Sequence, residues 1–118
     1  MSDPRPAPDV VHGRLDGIRD DALRLAERLG ADMVAVSEAR DASNVDDEHD
    51  PEGSTIAFER SQLEAIRRST LERAAEATSA LARLDAGTYG LCARCGQPIA
   101  AARLDARPMA ALCLSCAS

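Results

Sequence analysis

Aromatic residues are almost missing from this sequence of 118 residues: Phe58 and Tyr89 stand alone, and there is no tryptophan. A thick globular core is hard to fill without them. Ala and Leu dominate the apolar fraction instead, and they suit narrow helix–helix seams. Lysine is also absent, since every basic residue is arginine, a bias that reflects a GC-rich genome more than a function. No apolar run approaches the roughly 20 residues of a membrane span. The opening Met1-Ser2-Asp3-Pro4-Arg5-Pro6 shows no apolar stretch of a secretory signal. The expected location is therefore cytoplasmic, with thiols kept reduced. A broad basic face is missing as well. The net charge is −6, and the span from Glu38 to Glu52 alone accounts for it, with seven acids (Glu38, Asp41, Asp46, Asp47, Glu48, Asp50, Glu52) against Arg40. Direct, sequence-specific DNA binding is disfavoured by that distribution.

What is present is concentrated near the end of the chain. Four cysteines form two pairs, Cys92-Ala93-Arg94-Cys95 and Cys113-Leu114-Ser115-Cys116, separated by seventeen residues. This spacing suits one structural zinc ion, with each pair supplying two corners of a tetrahedron. Gly96 follows the second cysteine, where a knuckle turn needs positive φ or room for the backbone. Two disulfides are the competing reading, and the reducing compartment favours metal. With all four corners taken by cysteine, no position is left for a catalytic water, so the expectation is not an enzyme.

Helical periodicity organises the remainder. Residues 1–8 carry three prolines and read as a disordered tail. Val11, Leu15, Ile18, Ala22, Leu25, Leu29, Met33 and Val36 then recur at spacings of three and four, which predicts a helix over about 10–40 with Asp9 as its N-cap. Gly13, Gly17 and Gly30 weaken it by about 1 kcal/mol each, so it needs a partner. Asp50-Pro51-Glu52 places an acid at an N-cap, proline at the first helical position and a carboxylate in the first turn. Ile56, Leu63, Ile66, Ala74, Ala77, Leu81 and Leu84 mark one face of this second helix, and Gly87 and Gly90 stop it. The expected fold is mainly α. A long antiparallel hairpin over 9–86, with an acidic tip loop near 41–50, precedes a C4 zinc-ribbon module over 87–118. Each arm is on the order of 45–50 Å long at 1.5 Å per residue.

These features resemble the DksA/TraR family of bacterial transcription factors. Tyr89-Gly90-Leu91-Cys92-Ala93-Arg94-Cys95-Gly96 is similar to the entry into the family's C4 finger, Arg103-Leu104-Asp105-Ala106-Arg107-Pro108 to its R-L-[ED]-A-R-P segment, and Leu112-Cys113-Leu114-Ser115-Cys116 to the second cysteine pair. The stretch from Asp47 to Arg60 resembles the hairpin tip of actinobacterial members. The resemblance implies binding to RNA polymerase, with the coiled coil in the secondary channel, acidic tip residues near the catalytic magnesium, and altered initiation-complex stability. Some members act with the alarmone ppGpp at the joint surface with the polymerase, in the stringent response. The tip candidates are Asp46, Asp47, Glu48 and Asp50. Asp47-x-x-Asp50 keeps the acidic pair of the family's D-x-x-D-x-A tip, while Glu52 stands at the alanine position.

Simpler duties compete for several of these residues. Asp50 is explained as an N-cap without any function, whereas Asp47 has no such local duty. The tip lacks the glycine and regular oxygen spacing of a calcium loop. His12 and His49 read as solvated. Arg103 and Arg107 are candidates for docking on a partner, with a structural role as the competing reading for Arg107 before Pro108. Arg67 and Arg68 read as part of a solvated face. The alternative function is a zinc-ribbon coiled-coil adaptor that does not act at the polymerase centre.

Overall fold

The computed structural model describes residues 5–43 and 51–117, without the side chains of residues 40, 42–43 and 51–54. The fold is mainly helical: a long helical hairpin of α1 (Pro8–Ser43) and α2 (Pro51–Ala86), followed by the short helices α3 (Ala101–Ala106) and α4 (Leu114–Ala117). No strand is present among the described residues beyond a single antiparallel bridge between Leu91 and Pro98. Two compact units divide the chain, one of Met1–Asp20 with Arg73–Ser118 and the other of Asp21–Glu72.

In the first unit, the start of α1 lies against the end of α2. Val11, Leu15, Ala80 and Leu81 are buried together, and Leu84, Tyr89 and Met109 pack on them. A second cluster, Cys92, Ile99 and Leu104, carries the finger. Tyr89 packs against both clusters, and its hydroxyl donates to the Pro108 carbonyl at 2.7 Å. This one tyrosine therefore joins the hairpin base to the cysteine module. In the second unit the buried positions are Ala22, Ala26 and Leu29 of α1 and Thr70 of α2. Alanine and glycine keep that seam narrow: a methyl group on Gly30 would lie 3.4 Å from Arg67 Nε.

The seam departs from the expected stripe at two places. Leu25 is 38% exposed while Ala26 is buried, and Ile66 is 50% exposed while Thr70 is buried. A straight helix turns every 3.6 residues, so a seven-residue repeat drifts by about 20° per heptad. Leu15, Ala22, Leu29 and Val36 keep the sevenfold spacing, and the flanking position moves from Ile18 to Ala26 and Met33. On α2, Ile56, Leu63, Thr70, Ala77 and Leu84 keep it, and Ile66 falls outside. Thr70 tolerates burial because its hydroxyl donates to the Ile66 carbonyl at 2.7 Å.

The helix ends follow local chemistry. Pro8 opens α1, where a missing N–H is harmless. The Ala7 carbonyl accepts from the N–H groups of Val10 and Val11, and Asp9 lies in the first turn, where its charge complements the helix dipole, rather than at the cap. Ahead of it, Arg5 donates to the Ile99 carbonyl at 2.8 Å, so this part of the expected tail is tied to the finger. α2 begins at Pro51, and its far end closes in a Schellman turn. Thr88 N–H donates to Arg83 O at 2.9 Å and Gly87 N–H to Leu84 O at 3.2 Å, with Gly87 at φ 78°.

Candidate metal centre

The finger starts where α2 stops. Gly90 at φ 86° turns the chain, and Ile99 N–H returns to its carbonyl at 2.7 Å. Cys92 N–H donates to Gln97 O at 2.8 Å and Gly96 N–H to Cys92 O at 2.9 Å, closing the first knuckle. Gly96 itself sits at φ 76°, a region that only glycine enters without strain. The second pair is fixed by α4, where the N–H groups of Cys116 and Ala117 both donate to the Cys113 carbonyl. Ala93 N–H then donates to Ala111 O at 2.8 Å and ties the first knuckle to the strand of chain entering the second.

This framework gathers all four sulfurs of Cys92, Cys95, Cys113 and Cys116 within 4.8 Å of one another. Cys95 Sγ and Cys113 Sγ are 3.8 Å apart, and none of the four is in a disulfide. A tetrahedral shell with metal–sulfur distances of about 2.3 Å sets sulfurs about 3.8 Å apart, whereas a disulfide needs about 2.05 Å. The four thiolates thus form a site for one structural zinc ion. The thiols are electrostatically unequal. Backbone N–H groups of Cys113 and then Cys95 pull the Cys92 thiol down to about 6, while hydrogen bonds with the Cys113 and Cys92 side chains push Cys116 up to about 12. Zinc binds the cysteines as thiolates, so metal uptake releases protons.

Arginines hold the module in place through carbonyl acceptors. Arg14 donates to Asp105 O at 2.8 Å, Arg83 to Met109 O at 3.3 Å, and Arg103 Nε to Leu112 O at 3.0 Å. Arg103, expected as a docking residue, therefore braces the approach to Cys113, while the Arg107 side chain is exposed. Sequence reasoning passed over Arg14 and Arg83. They belong to no motif, and only the fold brings them to the finger. Together with Arg73, Arg103 and Arg107 they line a cleft of about 570 Å³ in which Glu76 is the lining carboxylate. Carbonyl oxygens orient Arg83 and Arg103, whereas Arg14 also lies 3.7 Å from the Asp105 carboxylate, which offsets part of its charge.

The acidic candidates Asp46, Asp47, Glu48 and Asp50, with His49, lie outside the described residues. His12 Nδ1 stands 3.0 Å from Asp16 on the half-exposed face of α1, and Arg68 makes the expected i, i+4 contact with Glu64 at 3.7 Å. Among the described residues no helix is long and apolar enough to cross a membrane.

Residues 87–118 match the sequence model described as the prokaryotic dksA/traR C4-type zinc finger. Comparison with curated proteins gives no significant match. Among solved structures, the fold is similar to that of the transcription factor DksA2 from Pseudomonas aeruginosa. The TM-score is 0.54 and the identity 25%, over 89% of this chain and 81% of that one. The C-terminal module is therefore similar to the dksA/traR C4-type zinc finger, and the fold of the chain that carries it is similar to that of DksA2.

Proposed function

We propose that the protein is a DksA-like transcription regulator that works by binding RNA polymerase, in the cytoplasm, and not by catalysing a reaction. The similarity to DksA2 over 89% of the chain carries this reading, because it includes the hairpin as well as the finger. The closed four-cysteine site agrees with a structural role for the metal. In this account the finger and hairpin base dock on the polymerase, with Arg103 and Arg107 among the docking residues. The coiled coil enters the secondary channel and brings Asp46, Asp47, Glu48 and Asp50 toward the active centre. Clustered carboxylates at a metal-bearing centre change the relative stability of initiation states, which is regulation by differential binding. The arginine-lined cleft supports a place for ppGpp at the joint surface, since guanidiniums recognise phosphate oxygens in bidentate pairs.

The test is the double variant Asp47→Asn with Asp50→Asn, assayed by promoter-complex lifetime. Retained polymerase binding with loss of the effect on lifetime is the expected result. Wild-type activity in the double variant would sink the tip mechanism.

A further inference from the structure

The chain reaches the metal module even before α1 begins. Arg5, ahead of Pro8, donates through Nη2 to the Ile99 carbonyl at 2.8 Å. Ile99 is fully buried, and its own N–H donates to Gly90 O at 2.7 Å. Beside that rung lies the Leu91–Pro98 bridge. Next comes the bond from Cys92 N–H to Gln97 O at 2.8 Å, which shapes the first cysteine knuckle. Arg5 thus grips one end of a short ladder whose other end carries a metal ligand. Gly90 leaves room for the grip. A Cβ there would lie 2.8 Å from Arg5 Nη1, so any other residue would displace the guanidinium. The arm itself is suited to hold this position. Pro6 and Pro8 each fix a backbone torsion, so less freedom is lost when the arm settles. The Ala7 carbonyl accepts from the N–H groups of Val10 and Val11, which ties the arm to the first turn of α1. Pro6 and Pro8 form part of the wall of a cavity of about 810 Å³ that Leu84, Tyr89 and Leu104 also line. All of these residues belong to one compact unit.

We infer that residues 5–8 are a clasp on the metal centre: closure of the arm onto Ile99 and metal binding at Cys92, Cys95, Cys113 and Cys116 are thermodynamically coupled. The coupling runs through the paired segments 90–92 and 97–99. With the four cysteines held together, that pairing is fixed, and the Ile99 carbonyl stays where Arg5 meets it. With the cysteines released, a module too small to fold on burial alone loses the pairing, and Arg5 loses its acceptor. Linkage makes the effect reciprocal. Whatever factor metal binding adds to closure of the arm, closure of the arm adds to metal binding. A hydrogen bond from a charged donor is of the stronger kind, so the factor is on the order of tenfold. An open arm also removes part of the wall of the cavity. The state of the four cysteines is thereby displayed on the surface at the start of α1. This coupling is independent of polymerase binding, since it needs only the metal centre and the hairpin base.

Zinc affinity of the full chain, measured by competition with a chelator, tests one direction of the coupling. Arg5→Ala should bind zinc about tenfold more weakly, with the circular dichroism of the zinc-loaded chain unchanged. Arg5→Lys keeps a charged donor and should lie closer to wild type than Arg5→Ala. Cobalt-loaded Arg5→Ala should keep the absorption of a tetrathiolate site, which separates a lost clasp from a damaged ligand set. Nuclear magnetic resonance relaxation of the Ala7 amide tests the other direction. That amide should be ordered in the zinc-loaded wild type, and mobile both after metal removal and in zinc-loaded Arg5→Ala. Equal zinc affinity in wild type and Arg5→Ala overturns the proposal. So does an Ala7 amide that stays ordered without metal or without Arg5. A lysine variant as weak as the alanine one also overturns it, because the effect would then not come from the donated bond. Loss of the tetrathiolate absorption in Arg5→Ala overturns it too, since the substitution would then have disturbed the ligands themselves.

Discussion

Adding one methyl group to two glycines that both face open space should move stability in opposite directions. An ideal Cβ on Gly13 or on Gly96 meets no atom within 4 Å, so neither change introduces a clash or a contact. Gly13 lies in the interior of α1, where alanine is more favourable than glycine by about 1 kcal/mol because less backbone entropy is lost. Gly96 sits at φ 76°, where a Cβ crowds its own backbone, at a cost of about 1–2 kcal/mol. Gly17 resembles Gly13, since its Cβ also meets nothing within 4 Å. Gly13→Ala with Gly17→Ala should therefore stabilise the protein by about 2 kcal/mol, raising Tm by roughly 8 °C if each kcal/mol is worth about 4 °C. Gly96→Ala should lower stability despite the same added atom. Thermal or urea unfolding followed by circular dichroism reads both, at one fixed excess of zinc because bound metal shifts apparent stability. A destabilised Gly13→Ala, or a neutral Gly96→Ala, would refute the assignment of helix interior to one and left-handed turn to the other.

Three further expectations concern the first unit. Leu15 is fully buried beside Val11, Ala80 and Leu81, so Leu15→Ala should cost about 2–5 kcal/mol in the same unfolding assay. Removal of zinc with a chelator, or Cys95→Ser, should unfold the finger, because structural zinc contributes about 10–16 kcal/mol to small modules. Metal analysis should return one zinc per wild-type chain, and cobalt substitution should give the absorption of a tetrathiolate site. Tyr89 supplies a pH signature. Burial raises its pKa above the ordinary 10, against the opposing pull of Arg14, Arg83 and Arg5. A raised value favours the neutral phenol in the folded state, so its contribution is complete below pH 10 and is lost as pH climbs through the folded pKa. Tyr89→Phe should remove the hydrogen bond to Pro108, at about 1 kcal/mol, and flatten that alkaline loss in pH-dependent unfolding.

The zinc centre and the hairpin were legible because each writes a short-range pattern into the chain. Two C-x-x-C pairs at ribbon spacing fix the ligand set, and the sulfurs indeed converge. Pro51, Gly87 and Gly90 punctuate α2 through backbone geometry that any reader of the sequence can apply. The exact seam was less legible. Leu25 and Ile66 look like better core residues than Ala26 and Thr70, but helix drift decides which face turns inward, and residue type does not. The arginine cleft was least legible. Arg14, Arg73, Arg83, Arg103 and Arg107 are scattered over more than ninety positions, and only the return of the finger onto the hairpin base collects them. Arg5 shows the same limit, since nothing local announces its bond to the carbonyl of Ile99.

The central claim is that the hairpin works from inside the polymerase secondary channel. Its most direct test is a pull-down of core RNA polymerase by the zinc-loaded chain, with the channel open and with the channel blocked. Capture by the open channel and its loss on blocking is the predicted result; equal capture in both would contradict insertion.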